Sequence, residues 1–387
     1  RSIDQRLNET IPKDLVIHRV SAFPERIAKV FGISAIGLRA HRSLALAGDR
    51  LLRNEKFDLV FFSTTAFPLM TLGYRWLKKF GVPYVLDMQD PWYTSPPSTT
   101  RRKNIKSRIM YALHHYLEKK AVPNASALMA VSQPYIDVLC TEYKSVSRKP
   151  SAVIPFGYSI NDFENNNGMY SEHDKLTNSN KLICMCAGRI SPAMVVCVKT
   201  LFDYVKKAQM FTNENNQFNS MTFVFLGTGY QKEGNPEVVI PVARELEVDG
   251  RVDERPDRVP FMDVQHALQE ADVLLVIGSE DMAYQPSKLY PYLYLEKPLI
   301  CVAPLKSNLA RQLQEVEDVL LLPSDQSITE QDIHSLIEWF VKAMGNNKNL
   351  DDSRKRSLAI SHESHQLAKR ECMLFDEAVK SFHALHH

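Results

Sequence analysis

The chain has 387 residues, too many for one ordinary core and enough for two α/β domains at roughly 150 residues each. Its 44% hydrophobic and 24% charged residues are those of a soluble globular protein, and a net charge of only +2 excludes a nucleic-acid binder that works through bulk charge. Six cysteines (Cys140, Cys184, Cys186, Cys197, Cys301, Cys372) form no CxxC pair and sit mostly in apolar runs, so free thiols in a reducing compartment are expected, and no metal site.

No stretch approaches the roughly 18 to 20 uninterrupted apolar residues of a membrane span, and no secretory leader opens the chain, so the expected location is cytoplasmic. Residues 14–20 (DLVIHRV) read as a short strand, and 39–54 have helical periodicity with an arginine-rich face. Residues 57–63 (FDLVFFS) read as a buried strand ending at Thr64, Thr65 and Pro68. Small polar residues at a strand's carboxyl end either meet a ligand or cap the helix that runs through Leu72 and Trp76. A strand over 81–86 (GVPYVL) leads to Asp87, Gln89, Asp90, Pro91 and Trp92, with Asp90 a candidate either for chemistry or for capping the next turn. Residues 94–100, rich in Pro, Ser and Thr, read as a mobile loop.

Arg101, Arg102, Lys103, Lys106 and Arg108 then crowd the start of a helix that continues through Met110, Leu113, Tyr116 and Leu117. This is either a solvated face or a surface that rests on anionic headgroups, so peripheral membrane contact is expected within Arg101 to Lys120. Residues 127–132 (ALMAVS) read as a strand and turn, Gly157 suits a positive φ, and the run Asn165, Asn166, Asn167 reads as linker. Residues 181–187 (KLICMCA) restart the strand pattern and run into Gly188 and Arg189; 221–229 (MTFVFLGTG) form a strand that ends in Gly-Thr-Gly. A short strand and turn over 252–261 precede a helix over 261–271.

The apolar runs 273–278 and 298–302 read as neighbouring buried parallel strands. Between them Pro286 and Ser287 signal a helix start, with Ser287 as the cap and Lys288 beside the free amides: an anion site. Long helices follow over 328–344 and 354–382, and the histidines of 361–369 read as solvated.

Tyr-x-Pro-Ser-Lys followed by a helix and Lys297-Pro298-Leu-Ile resembles the donor-binding segment of GT-B glycosyltransferases, in particular the retaining family 4 type and its Pro-Ser-Lys subgroup. Other motifs fall in that family's order: Asp90-Pro-Trp, Ile154-Pro-x-Gly157, Gly188-Arg189, Gly227-x-Gly229 and Arg258-Val-Pro. The match runs from about Phe57 to Pro304. The resemblance implies an α/β protein of GT-B fold, two Rossmann-like doubly wound domains that face a central cleft. The acceptor-side domain would be 1–158, the nucleotide-sugar domain 159–364, and a C-terminal helix, 365–387, would cross back by way of 361–369.

It also implies site roles. Arg189, Ser287, Lys288 and the Leu289 amide would hold the donor diphosphate, since a guanidinium fork suits phosphate. Arg258 and Val259 would lie beside the base, Tyr284 against ribose or sugar, and Glu280 or Asp281 near the donor sugar. Gln89 and Asp90 would face the reacting carbon, with Thr64, Thr65 and Trp92 on the acceptor side. The partners implied are a nucleotide sugar, of the UDP-hexose kind, and a saccharide or lipid-linked saccharide acceptor in polysaccharide assembly. Neither a metal nor a further cofactor is implied.

This sequence departs from the family at several points. Gln89 stands where many members have arginine, and Phe156 replaces an asparagine. The cation usual five or six residues beyond Arg189 is missing, those places being Met194 and Val195; Lys199 is the nearest. The paired glutamates of the family fall at Ala283 and Pro291. The family's opening strand and Gly-rich loop have no counterpart before Asp14, and the chain opens at Arg1 without a methionine, so missing upstream residues are expected. Two functions remain: an active hexosyltransferase, or a partner or regulator that kept the fold and its sugar-nucleotide site without turnover.

Overall fold

The computed structural model describes residues 5–30, 35–92, 105–164, 182–212, 217–231, 233–314, 316, 319–345 and 353–386. The expected loop at 94–100, the cations Arg101, Arg102 and Lys103, and the Asn165 to Asn167 linker lie outside them. The chain divides into two compact units: an N-terminal unit of Lys13–Pro155 with Leu367–His387, and a C-terminal unit of Phe156–Gln366 with the opening residues up to Pro12.

The N-terminal unit is built on a four-stranded parallel sheet, β1 (Val60–Ser63), β2 (Tyr84–Met88), β3 (Ala127–Ala130) and β4 (Ser151–Val153), paired in that order. Side chains alternate between its faces. On one face Phe62, Tyr84, Leu86, Met88 and Leu128 pack with Leu72, Trp76 and Leu139. On the other, Val85, Ala127 and Met129 meet Leu367, Leu374 and Ala378 of the last helix, Ser364–His386, and Phe61 lies 4.8 Å from Phe375.

The C-terminal unit carries six parallel strands, β5 (Ile183–Ala187), β6 (Thr222–Leu226), β7 (Val252–Arg255), β8 (Val273–Ile277), β9 (Leu299–Ala303) and β10 (Val319–Pro323). They are ordered β10-β9-β8-β5-β6-β7, which in sequence terms is the doubly wound 6-5-4-1-2-3 arrangement. Every residue of β5, β8 and β9 is buried, as a sheet covered on both faces requires. Cys184, Cys186, Leu275, Ile277 and Val302 pack under the helices Val195–Phe211 and Glu330–Met344. Met185, Ala187, Leu274, Val276 and Cys301 pack under Leu289–Tyr294 and Asn308–Leu313.

Four sequence expectations are corrected. Residues 14–20 form no strand: Val16 is 77% exposed and the segment pairs with nothing in the sheet, so its apolar run has no ladder to join. Residues 5–12 group with the C-terminal unit, where Arg6 Nη1 and Nη2 grip Asp263 Oδ1 and Oδ2 at 2.7 and 3.1 Å. The long C-terminal helix is broken into Ser353–Ile360 and Ser364–His386, because Tyr158 takes the backbone bonds at the break: Ser364 N donates to its carbonyl at 2.8 Å, and its own N donates to His362 O at 3.2 Å. His362 itself is stacked on Tyr290, centroids 3.7 Å apart, rather than solvated.

In the N-terminal unit the helix Ile36–Asn54 reaches the core at Gly48, where a methyl group would run into the Trp76 indole. That ring cannot yield easily, because its Nε1 donates to buried Asp49 at 3.0 Å. Gly48→Ala therefore lowers Tm by overpacking, at a cost of about 1–3 kcal/mol, although alanine in a free helix gains about 1 kcal/mol over glycine. A rise in Tm for this variant contradicts the packing described.

Candidate functional site

In a doubly wound sheet the crevice opens at the carboxyl ends of the two strands where connections leave in opposite directions. Here those strands are β5 and β8. The chain leaves β5 through Gly188, whose φ of 110° suits glycine, and its N–H bonds Leu226 O at 2.7 Å; Ile190 N then bonds Thr228 O at 3.1 Å. The chain leaves β8 through Gly278, where a Cβ would stand 2.7 Å from Ala303 Cβ and 2.8 Å from Val302 O. Glu280 N donates to Ala193 O at 3.0 Å, tying the two exits together.

Lys288 comes back to this point. Its Nζ bonds Cys186 Sγ at 3.5 Å and would lie 3.7 Å from a Cβ on Gly188. Arg189, exposed, holds its guanidinium 5.1 Å over the Tyr230 ring. Among the described residues neither cation has a carboxylate partner. Lys199, by contrast, is spent on Glu245 at 2.8 Å. The floor beneath is phenolic: Tyr292 Oη accepts from Ala187 N at 2.9 Å, and Tyr284 packs on the core. Burial, with Cys186 a lesser cause, pushes the Tyr284 hydroxyl up to about 12 and that of Tyr292 well above its ordinary value, so both stay protonated.

The helix start differs from expectation. The helix is only Leu289–Tyr294, Ser287 is exposed and makes no cap bond, and Lys288 occupies the cap position. The opening turn is closed by backbone instead, Leu289 N to Pro286 O at 3.1 Å and Tyr292 N to Lys288 O at 3.3 Å. The expected capped helix end is therefore absent, and what this loop brings to the β5 end is the Lys288 side chain. Asp281 folds on its own loop, accepting from Ala283 N at 2.9 Å, while Glu280 is exposed. Arg258 is exposed and Val259 packs against the core, on the loop that Gly227 N and Gly229 N fasten to Arg255 O and Pro256 O at 2.8 and 2.9 Å. Thr228 and Glu254 brace that loop through a 2.5 Å hydrogen bond.

The N-terminal unit has its own polar strand end. Ser63 Oγ donates to Asp87 Oδ2 at 2.8 Å, and Gln89 Nε2 donates to both Ser63 Oγ and Asp87 Oδ2 at 2.8 Å. With both amide hydrogens used, Gln89 presents only its carbonyl oxygen. Burial raises the Asp87 carboxyl, against the pull of Gln89 and Ser63; burial also raises Asp90 and Glu371, the latter helped by the charge of Asp87. Thr64 Oγ1 accepts from Ala66 N at 2.9 Å, the capping alternative, and Thr65 is exposed. Trp92 is built into the core: 5% exposed, stacked 5.3 Å from Phe67, with Nε1 donating to His114 Nδ1 at 2.9 Å.

Ser63, Glu371, Cys186 and Tyr230 were not singled out from sequence as site residues. Glu371 had a readable signal, since it interrupts the apolar stripe Leu367, Leu374, Ala378 at helical spacing.

Residues 11–162, roughly two-fifths of the chain, match Glycosyltransferase Family 4. No curated protein matches the chain. Among solved structures, Anabaena Alr3699/HepE in complex with UDP is similar with a TM-score of 0.56 at 14% identity, over 91% of this chain and 88% of that one. A UDP-forming alpha,alpha-trehalose-phosphate synthase from Burkholderia xenovorans gives 0.55 at 10% identity, over 90% and 79%. A GtfA/B complex gives 0.50 at 12% identity over 88% of this chain, which spans only 61% of that one. These likenesses show the fold: GT-B, with two Rossmann-like units on parallel sheets.

A carboxyl raised by burial favours folding while it is protonated, below its unfolded value of about 4, and that contribution is lost as pH rises through the folded value. Asp87→Asn keeps an acceptor for Ser63 and Gln89 without the charge. It is expected to raise Tm at neutral pH, with a gain that fades towards about pH 4; a gain independent of pH in thermal melts contradicts this origin.

Proposed function

We propose that the protein is a glycosyltransferase that moves a hexose from a nucleotide sugar, a UDP-hexose such as UDP-glucose, to a hydroxyl of a saccharide or lipid-linked saccharide. The observation that carries this reading is the return of Lys288 to Gly188, the neighbour of Arg189, at the β5 end, the two cations having no carboxylate partner among the described residues. Breaking a glycosidic bond leaves a diphosphate whose growing charge must be met. Arg189 and Lys288 meet it here, so no metal ion is assigned to that task. The printed descriptions of two relatives, one in complex with UDP and one UDP-forming, support uridine diphosphate.

The N-terminal polar cluster fits the acceptor. Gln89 offers a fixed carbonyl and Asp90 a carboxyl raised by burial, groups that accept hydrogen bonds from a sugar hydroxyl and suit proton removal from it. Retention of configuration, a place in exopolysaccharide, capsule or lipopolysaccharide assembly, a cytoplasmic site of action and contact of residues 101–120 with the inner membrane face rest on the resemblance and on the exposed Ile109, Tyr116, Lys119 and Lys120. Among the described residues no helix is long and apolar enough to cross a membrane.

A second reading, a sugar-nucleotide-binding regulator without turnover, is favoured by one observation. Ala283 and Pro291 take the places of the glutamates, and of the two acids nearby Asp281 accepts from its own loop while Glu280 is exposed. A coupled assay for nucleotide release across several sugar donors separates the two: binding without release identifies the regulator.

UDP at about a hundred times its Kd adds about 2.7 kcal/mol of stability, a Tm rise of roughly 5–10 °C for units of this size. Arg189→Ala or Lys288→Ala removes a charge-assisted contact of about 1.5–3 kcal/mol and cuts the rise to half or less. If no nucleotide raises Tm in the unmodified protein, the donor site is wrongly assigned.

A further inference from the structure

Tyr230 follows the Gly227-Thr228-Gly229 turn at the end of β6 and is 78% exposed, yet the backbone on both sides of it is fixed. Before it, Gly229 N donates to Pro256 O at 2.9 Å. After it, Gln231 N donates to Asn235 Oδ1 at 2.8 Å, and Asn235 Nδ2 donates back to Gln231 O at 2.8 Å. Asn235 is held in turn by Asp257, whose Oδ1 accepts from its N and its Nδ2, each at 2.9 Å, and a Cβ on Gly229 would stand 2.2 Å from the Asn235 side chain. An exposed aromatic side chain is thus carried on a pinned loop, and what it meets is the guanidinium of Arg189.

Arg189 leaves the neighbouring strand, β5, and its guanidinium carbon stands 5.1 Å from the Tyr230 ring centroid. A cation over an aromatic ring is held by the ring's quadrupole, so the contact spends none of its N–H groups on an acceptor. Among the described residues no acceptor takes them either. A carboxylate in place of the ring would hold the arginine by its donors, as Asp49 holds Arg75 Nε and Nη2 at 3.2 and 2.6 Å. A long exposed side chain with no hold at all would lose its rotamer freedom only when the ligand fixed it, at the expense of affinity.

We propose that Tyr230 is the positioning residue of Arg189 in donor binding: the ring fixes the guanidinium at the β5 end before the ligand arrives, and the diphosphate of the nucleotide sugar takes the N–H donors that the ring leaves unused. The inference rests on the donor reading given under the proposed function. A cation–π contact at an exposed site is weaker than charge-assisted hydrogen bonds to phosphate, so the ring orients the arginine without competing for it.

The test is calorimetric titration of the full chain with UDP and with uridine, which lacks the phosphates. Tyr230→Leu weakens UDP about two- to five-fold and leaves uridine unchanged. Tyr230→Phe, which keeps the ring, restores the affinity for UDP, and in an Arg189→Ala background Tyr230→Leu has no further effect. The Tm of the ligand-free variants stays unchanged, because the side chain lies outside the cores. The proposal is overturned if Tyr230→Leu binds UDP as tightly as the unmodified protein; should Arg189→Ala still weaken UDP, the donor reading stands without it. It is equally overturned if Tyr230→Leu weakens uridine as much as UDP or acts in the Arg189→Ala background, which assigns the ring to the base, or if Tyr230→Phe is as weak as Tyr230→Leu, which assigns the role to the hydroxyl. Failure of the unmodified protein to bind UDP removes the donor reading and this inference together.

Discussion

The C-terminal crevice depends on a position with no side chain. At Gly188 the chain must leave β5 with a positive φ and bond back to the end of β6, within contact distance of the Lys288 ammonium. An alanine there would be strained by the backbone before any contact is considered. The hydrogen-bond partner of that ammonium is the sulfur of a buried cysteine, a weak acceptor. A carboxylate in its place would hold the lysine more firmly and cancel its charge, as Glu245 does for Lys199. Held by Cys186, the ammonium is positioned with no carboxylate partner among the described residues, as the proposed diphosphate contact requires.

Much of this architecture was legible in the chain because period and burial agree. The runs at β8 and β9 are continuous apolar stretches, and only a sheet covered on both faces uses such runs. The Gly-Arg, Gly-Thr-Gly and Pro-Ser-Lys segments follow strands or lead into helices as their residues suggest. Illegible features have causes far away in sequence. Nothing near His362 announces that the final helix will break, because the bonds that break it come from Tyr158. Residues 14–20 have the composition of a strand, but a strand exists only with a neighbour to complete its ladder. Ser287 has the right type for a cap, and was superseded by the carbonyl of Pro286 one residue earlier.

Trp92 and Glu371 show the same limit from opposite directions. An aromatic next to an Asp-Pro pair invites a role against a ligand, yet the indole N–H is satisfied by His114 and the ring is stacked on Phe67, so the residue closes the core. Glu371 has no motif around it. It is recognisable only as an acid on a helix face otherwise apolar, and the fold places it within electrostatic reach of Asp87 although the whole Phe156–Gln366 stretch of the C-terminal unit intervenes in sequence.

The two strand-end clusters are chemical opposites. At the β5 end the free valences are cationic donors, Arg189 and Lys288, over phenols that burial keeps protonated. At the β2 end every hydrogen on the Gln89 amide and the Ser63 hydroxyl is already given to a neighbour, so what remains is lone pairs and carboxyls. A donor-rich cluster selects for an anion, whereas an acceptor-rich cluster selects for a molecule that brings its own hydroxyl hydrogens. The diphosphate of a nucleotide sugar brings acceptors only, which suits the first cluster, whereas a sugar hydroxyl can donate to the second. The polarity of each unit is set by which hydrogens its own side chains have already consumed, and that bookkeeping, more than any one motif, divides donor from acceptor in the proposed reaction.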